Sequence, residues 1–141
     1  MSASDEARIA SRWLSYAEED LQVVDRLLAQ RDLAPRYTCW HSQQAAEKAL
    51  KALLLLETGG SKPTHDLQEL ADLLPEPLAE RIPRPGLSLM TQLYIESRYP
   101  GRYPEATPTE AATAMMAARA VFDAVNREFQ RRGFEPKSSD E

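Results

Sequence analysis

The 141 residues carry a formal net charge of −5, and 43% of them are hydrophobic, which is ordinary for a single globular domain. The acidic balance argues against non-specific binding of duplex nucleic acid through a broad basic surface. The single cysteine, Cys39, excludes an internal disulfide framework and is too few for a structural zinc site. There is no apolar run of the signal-peptide or membrane-spanning kind, so we expect a cytoplasmic protein without metal or cofactor.

Two long helices are predicted in the first 60 residues. The first should run from about Asp5 to Arg31, because apolar residues recur there at helical spacing. Its predicted buried face consists of Ile9, Trp13, Ala17, Leu21, Val24 and Leu28. Pro35 suits the first turn of a second helix, which Gly59 and Gly60 should end.

The second helix has an apolar side and a polar side. The apolar side carries Ala45, Ala46, Ala49, Leu50, Ala52, Leu53 and Leu56, which predicts a central helix with close neighbours. The polar side carries His41, Gln44, Lys48 and Lys51, within an arc of about 80°. We expect Glu47 to pair with Lys51 along the helix, and Asp20 of the first helix to pair with Lys48.

Three further features complete the predicted bundle. A short helix should run from Thr64, as its N-cap, to Leu74, followed by a loop with four prolines from Pro75 to Gly86. Another helix should begin near Leu87 and end before Pro100. Thr107 opens a capping box for the last helix, whose predicted buried face consists of Ala111, Met115, Ala118, Phe122, Val125 and Phe129. We therefore predict an all-α, up-and-down bundle of about five helices over residues 1–133, with a disordered acidic tail over 134–141.

Charge is unevenly distributed along the chain. Residues 1–30 contain three arginines and six acidic residues, whereas residues 81–104 contain Arg81, Arg84, Arg98 and Arg102 against Glu96 alone. The second region is a local basic patch, and it is able to hold a phosphate group or a short single strand.

Four segments in order resemble the HEPN-domain family of small prokaryotic proteins. They are WLSYAEEDL (13–21), HSQQAAEKALKALL (41–54), THDL (64–67) and ESRYP (96–100). The resemblance covers roughly residues 10–130. It implies a homodimer that works with a minimal nucleotidyltransferase-like partner in a toxin–antitoxin-like pair. It also implies a metal-independent ribonuclease activity in many relatives, and nucleotide binding has been proposed for the family.

The ribonucleolytic relatives use an arginine and a histidine a few residues apart, at the dimer cleft. In this chain Tyr103 stands five residues after Arg98, where that histidine would be. A tyrosine is a poor general base near neutral pH. Arg36 and His41 have the same spacing but lie in another part of the chain, and they are the weaker candidates for a catalytic pair.

The leading hypothesis is therefore a binding module rather than an enzyme. Its predicted nucleotide- or anion-binding residues are Arg98, Tyr99, Arg102 and Tyr103, with charge added by Lys48 and Lys51. Tyr99 and Tyr103 are also available for modification by the partner. The alternatives are a metal-independent ribonuclease, using Arg36 with His41 or Arg98 with a displaced His41 or His65, and a purely structural dimerisation module.

Overall fold

The computed structural model describes residues 2–30 and 32–134, which form helices and no strand. The helices are α1 (Ala3–Ala29), α2 (Pro35–Thr58), α3 (Leu67–Asp72), α4 (Leu78–Arg81), α5 (Leu87–Glu96) and α6 (Pro108–Arg131). The all-α bundle is confirmed, with one helix more than expected. The short α4 forms inside the stretch predicted to be a loop, because its prolines flank the turn without interrupting it.

Helix α2 is the centre of the bundle, as its apolar side predicted. It packs most extensively against α1 and α6, and also against α3 and α5. Six of the seven predicted apolar residues are fully buried, and Leu56 is half-buried. The alanines let the neighbouring helices approach closely, because each adds only one methyl group to the interface.

The buried face of α1 was predicted only in part. Ala17, Leu21 and Val24 are buried, but Trp13 and Leu28 are 38% and 39% exposed. The seam with α2 runs instead through Ala10 and Leu14. Ala10 and Leu14 have the predicted helical spacing, but each lies one position after the predicted residue, Ile9 or Trp13. Small side chains at the seam allow close packing, whereas a tryptophan there would hold the two helices apart.

Helix α3 begins later than expected, and Thr64 is not its N-cap. Asp66 holds that position, and its carboxylate accepts a hydrogen bond from the Glu69 backbone N–H at 3.2 Å. The Thr64 hydroxyl accepts from the Asp66 N–H at 3.1 Å, which closes a local turn before the helix. His65 therefore lies in the loop ahead of α3 rather than in its first turn.

Helices α5 and α6 meet at Gly86. This glycine has φ +86°, and a Cβ atom built on it would lie 2.6 Å from the Cβ of Ala117 in α6. Both the backbone conformation and the available space therefore require glycine. The capping box at the start of α6 is confirmed, with Thr107 and Glu110 bonded in both directions at 3.0 Å.

The predicted face of α6 is buried, except that Met115 is only half-buried. Phe134 packs against the core, and its ring centroid lies 6.3 Å from that of Phe129. It therefore belongs to the bundle. The rest of the predicted tail, residues 135–141, and the predicted helix end Arg31 lie outside the described residues. No helix in the described part of the chain is long and apolar enough to cross a membrane.

Candidate functional site

The first polar cluster joins α1 to α2 through Asp20. Lys48 donates from Nζ to Asp20 Oδ2 at 2.7 Å, and the other oxygen, Oδ1, lies 3.3 Å from Nδ1 of His41. Asp20 is only 9% exposed, so its charge needs these partners. The predicted ion pair between Asp20 and Lys48 is confirmed.

The second polar cluster repeats this arrangement around Glu47. Lys51 donates from Nζ to Glu47 Oε2 at 3.0 Å, and Oε1 lies 2.8 Å from Nδ1 of His65. Gln43, one turn earlier on α2, donates from Nε2 to the His65 carbonyl oxygen at 2.6 Å. The pairing of Glu47 with Lys51 is confirmed. Helix α2 holds His65 by both its ring and its backbone.

The carboxylate contacts set the chemistry of each histidine. A neutral imidazole facing a carboxylate carries its proton on the contacting nitrogen, so Nδ1 donates and Nε2 remains an acceptor. His65 is the more exposed of the two, since 47% of its side chain is accessible against 28% for His41. Its Nε2 is therefore the better placed to contact a ligand.

An aromatic side chain of α5 connects His65 to Arg98. The centroid of the Tyr94 ring lies 5.4 Å from the His65 ring and 6.2 Å from the Trp40 ring. The Arg98 guanidinium carbon lies 4.5 Å from the same centroid, and this guanidinium donates to the Tyr94 hydroxyl. We call these four residues the Tyr94 cluster. It brings together a cation, a histidine and two aromatic rings.

The loop after α5 forms a separate hollow of about 140 Å³. The rings of Tyr99 and Tyr103 line it, with their centroids 6.5 Å apart. Arg36 also lines it and pairs with Glu105 at 3.5 Å. The hollow is small compared with the roughly 300–1,000 Å³ of ligand pockets.

The structure therefore separates residues that the sequence grouped together. Arg98 lies against Tyr94, whereas Tyr99 and Tyr103 line the loop hollow. Arg102 is exposed in the turn between them, and its backbone N–H bonds to the Tyr99 carbonyl at 3.1 Å. Lys48 and Lys51 lie on α2, each bonded to a carboxylate.

Arg36 and His41 contact different parts of the protein. The Arg36 guanidinium lies 4.9 Å from the Tyr37 ring and pairs with Glu105, whereas His41 contacts Asp20. Five residues along a helix correspond to about 140° of rotation, which explains the divergence.

Cys39 lies on the buried side of α2 and is 1% exposed. Burial raises the pKa of its thiol to about 11, with a further contribution from the negative charge of Glu110. The thiol is therefore protonated at neutral pH and a poor nucleophile. Among the described residues, no group of three or more histidine, cysteine, aspartate or glutamate side chains is arranged to hold a metal ion.

Sequence reasoning missed the Tyr94 cluster and the role of Gln43. Tyr94 and Arg98 are four residues apart, a spacing that favours contact along one helix, so this half of the cluster carried a readable signal. The contact between Glu47 and His65 spans 18 residues and depends on how the chain returns after α2. No local pattern indicates it.

Comparisons with known proteins agree with this architecture. A family model described as the HEPN domain matches residues 10–128. The crystal structure of TT1696 from Thermus thermophilus is similar, with 28% identity and a TM-score of 0.70, over 84% of this chain and 97% of that one. The structure of ST0689, an archaeal HEPN homologue, also has 28% identity, with a TM-score of 0.59 over 84% of this chain and 96% of that one. No curated protein matches the chain.

Proposed function

Because this chain belongs to the HEPN domain family, we propose that it is a binding module that holds a phosphate group of a nucleotide or RNA at the Tyr94 cluster. In this proposal it works with a nucleotidyltransferase-like partner, in a toxin–antitoxin-like pair. The observation that carries the phosphate site is the position of Arg98, 4.5 Å above a tyrosine ring that also contacts the half-exposed His65.

The chemistry of the cluster supports an anionic ligand. A guanidinium has five N–H donors, and the Tyr94 hydroxyl uses only part of this capacity while fixing the plane of the group. Lys48 and Lys51 are matched by Asp20 and Glu47. Arg98 is therefore the main source of uncompensated positive charge here, with His65 adding charge when protonated.

Calorimetric titration with mononucleotides and short RNA tests the phosphate site. Binding should weaken with added salt. Replacing both Arg98 and Arg102 with alanine should cost about 2–4 kcal/mol, from about 1.5–3 kcal/mol for each charged hydrogen-bonding partner and incomplete additivity. Arg102→Ala alone is the matched control, and its effect should be the smaller of the two single changes. Unchanged binding in Arg98→Ala would refute the site.

The partner-dependent part of the proposal concerns the loop tyrosines. Tyr99 and Tyr103 are 47% and 43% exposed, so neither residue is shut off from a modifying enzyme. Incubation with a nucleotidyltransferase-like partner and a nucleoside triphosphate should increase the intact mass by one or more nucleotidyl groups. Tyr99→Phe and Tyr103→Phe would identify the acceptor. No mass change with a partner that binds the chain would remove this part of the proposal.

We also propose that the chain acts as a homodimer. Sedimentation equilibrium at micromolar concentration should give twice the 15.9 kDa of one chain. A monomer at every concentration tested would contradict the dimer and any cleft shared between two copies.

A second candidate function is a metal-independent ribonuclease. It is favoured by one observation: His65, which contacts Glu47, packs against the same Tyr94 ring as Arg98. Nε2 of His65 would take the proton of a ribose 2′-hydroxyl while its oxygen attacks the adjacent phosphorus, and Arg98 would stabilise the charged phosphorane. The P–O5′ bond would then break, and the proton would pass to the leaving 5′-oxygen, giving a 2′,3′-cyclic phosphate and a 5′-hydroxyl. RNA cleavage in the presence of a chelator, abolished by His65→Ala and retained in His41→Ala, would favour this candidate over the binding module.

A further inference from the structure

A second hollow lies between the N-terminal half of α1 and Lys48 of α2. It has a volume of about 400 Å³ and is lined by Arg8, Ile9, Arg12, Trp13, Tyr16 and Lys48. Trp13 and Tyr16 are 38% and 47% exposed. Because the α1 seam passes through Ala10 and Leu14, two large aromatic rings are left partly open to solvent. We call this the α1 hollow.

The cations of the α1 hollow differ in how far acidic residues neutralise them. Arg12 donates from Nη2 to the Tyr16 hydroxyl at 3.0 Å, and its guanidinium carbon lies 5.7 Å from that ring. Arg8 pairs with Asp5 at 3.8 Å, and both side chains are more than half exposed, so this pairing is weak. Lys48 is the best compensated, through Asp20.

We propose that the α1 hollow is a base-stacking subsite for single-stranded RNA, with one unpaired base against Trp13 and its phosphates near Arg8 and Arg12. Aromatic faces beside guanidinium groups are the usual means of holding a single strand without sequence preference. The volume lies within the range of small-ligand pockets. An acidic peptide would satisfy the arginines but has no flat face for the indole ring. RNA is therefore the occupant that uses both features.

The position of the hollow supports a continuous path for a strand. Lys48 belongs both to the hollow and to the first polar cluster, in which Asp20 also contacts His41. The His41 ring lies 5.1 Å from the Trp40 ring, which belongs to the Tyr94 cluster. A strand held by Arg98 could therefore extend along α2 to the α1 hollow. The inference rests on the proposed function only in taking RNA as the ligand.

The two tryptophans of the chain provide a site-specific measurement. In Trp40→Phe the remaining indole fluorescence comes from Trp13, and in Trp13→Phe it comes from Trp40. Titration with short oligouridylate should quench the emission of Trp40→Phe, and salt should reverse the quenching. An unlabelled uridine mononucleotide, which has only one phosphate-linked unit, should quench it less at the same concentration.

The affinity for labelled oligouridylate, measured by fluorescence anisotropy, should fall when residues that line the α1 hollow are replaced. Trp13→Leu keeps apolar bulk without the flat ring and should weaken binding by about 10- to 100-fold. Arg12→Gln should weaken it and reduce the slope of log affinity against log salt by about 0.7. The matched control is Arg119→Gln, an exposed arginine of α6 paired with Asp25, which should leave both quantities unchanged. Circular dichroism would confirm that each variant is folded.

Two results would overturn the inference. The first is that oligouridylate binds without quenching Trp13, and that Trp13→Leu and Arg12→Gln bind it with the affinity of the parent protein. The other is displacement of the labelled RNA by polyglutamate with no effect of Trp13→Leu, which would assign the surface to an acidic protein. If either occurs while Arg98→Ala still loses binding, the inference fails alone. Quenching of Trp13 with no effect of Arg98→Ala would instead refute the phosphate site of the proposed function.

Discussion

The apolar and polar sides of α2 make different kinds of interaction with the rest of the protein. On the apolar side, residues such as Ala46, Ala49 and Leu50 are fully buried and pack in the hydrophobic core without needing a specific partner. On the polar side, Glu47 and Lys48 each contact a specific partner from elsewhere in the chain. The apolar side determines how the bundle packs. The polar side determines which charged side chains are held in place around α2.

The same difference decides what a mutation should cost. A truncation on the apolar side leaves a cavity, so its cost follows the volume removed. A truncation on the polar side leaves a charge without its partner, so its cost follows the burial of the group that remains. Comparing matched changes on the two sides separates these effects.

Leu50→Ala should have the largest effect. Leu50 is 0% exposed in the centre of the core, and truncation of a buried leucine costs about 2–5 kcal/mol. Urea unfolding would measure the loss. Leu56→Ala, at a half-buried position of the same helix, is the control and should cost less. Equal losses at the two positions would mean that α2 is not the centre of the bundle.

Glu47→Ala should reduce stability by about 3 kcal/mol, because it removes the partner of a lysine whose side chain is only 14% exposed. The unfolding free energy in urea is again the measurement. Arg119→Ala, which breaks an exposed ion pair, should cost no more than about 1 kcal/mol. If the two variants were equally stable, the second polar cluster, around Glu47, would have to be solvated rather than buried.

Asp20→Asn should have a smaller effect, about 1–2 kcal/mol. The Lys48 side chain is 29% exposed, so its ammonium group can reach water when the carboxylate is lost. Nitrogen-detected NMR at alkaline pH should show a change of tautomer at His41 and none at His65. A simultaneous change at both histidines would mean that the two clusters are coupled.

Cys39 probes the apolar side through the reactivity and ionisation of its thiol, without a substitution. Because burial raises its pKa to about 11 while the unfolded thiol ionises near 9, the native thiol should react with a disulfide reagent at pH 8 far more slowly than the urea-unfolded chain. The unfolded state loses this proton first, so stability should fall as pH rises from about 9 to 11. Fast native reaction at pH 8 would show that this part of α2 opens readily.

The sequence predicted the two sides of α2 well, but it did not predict that Arg98 and His65 both contact Tyr94. Periodicity was sufficient for α2 and for the pairing of Glu47 with Lys51, since both follow from helix geometry. The pairing of Asp20 with Lys48 was predicted from the cost of an unpaired carboxylate near the buried face of α1.

The prediction for Trp13 was wrong, because Trp13 and Leu14 fit the same helical spacing. Only the packing of α1 against its neighbours decides which of the two is buried. The contact of Arg98 with Tyr94 is consistent with their four-residue spacing. The contact of His65 with the same ring depends on how the chain returns after α2, and no local pattern indicates it.

The close approach of Gly86 to Ala117 has a consequence at the other end of α5. Ten residues of helix form a rod about 15 Å long, and its first turn rests against α6 without room for a methyl group. The contact at Gly86 therefore fixes the position of α5 along its axis. Tyr94 and Arg98 lie near or just beyond the other end of this helix. A side chain at position 86 would move both together relative to His65, which is anchored on a different helix. The geometry of the proposed phosphate site thus depends on a glycine that lies outside it.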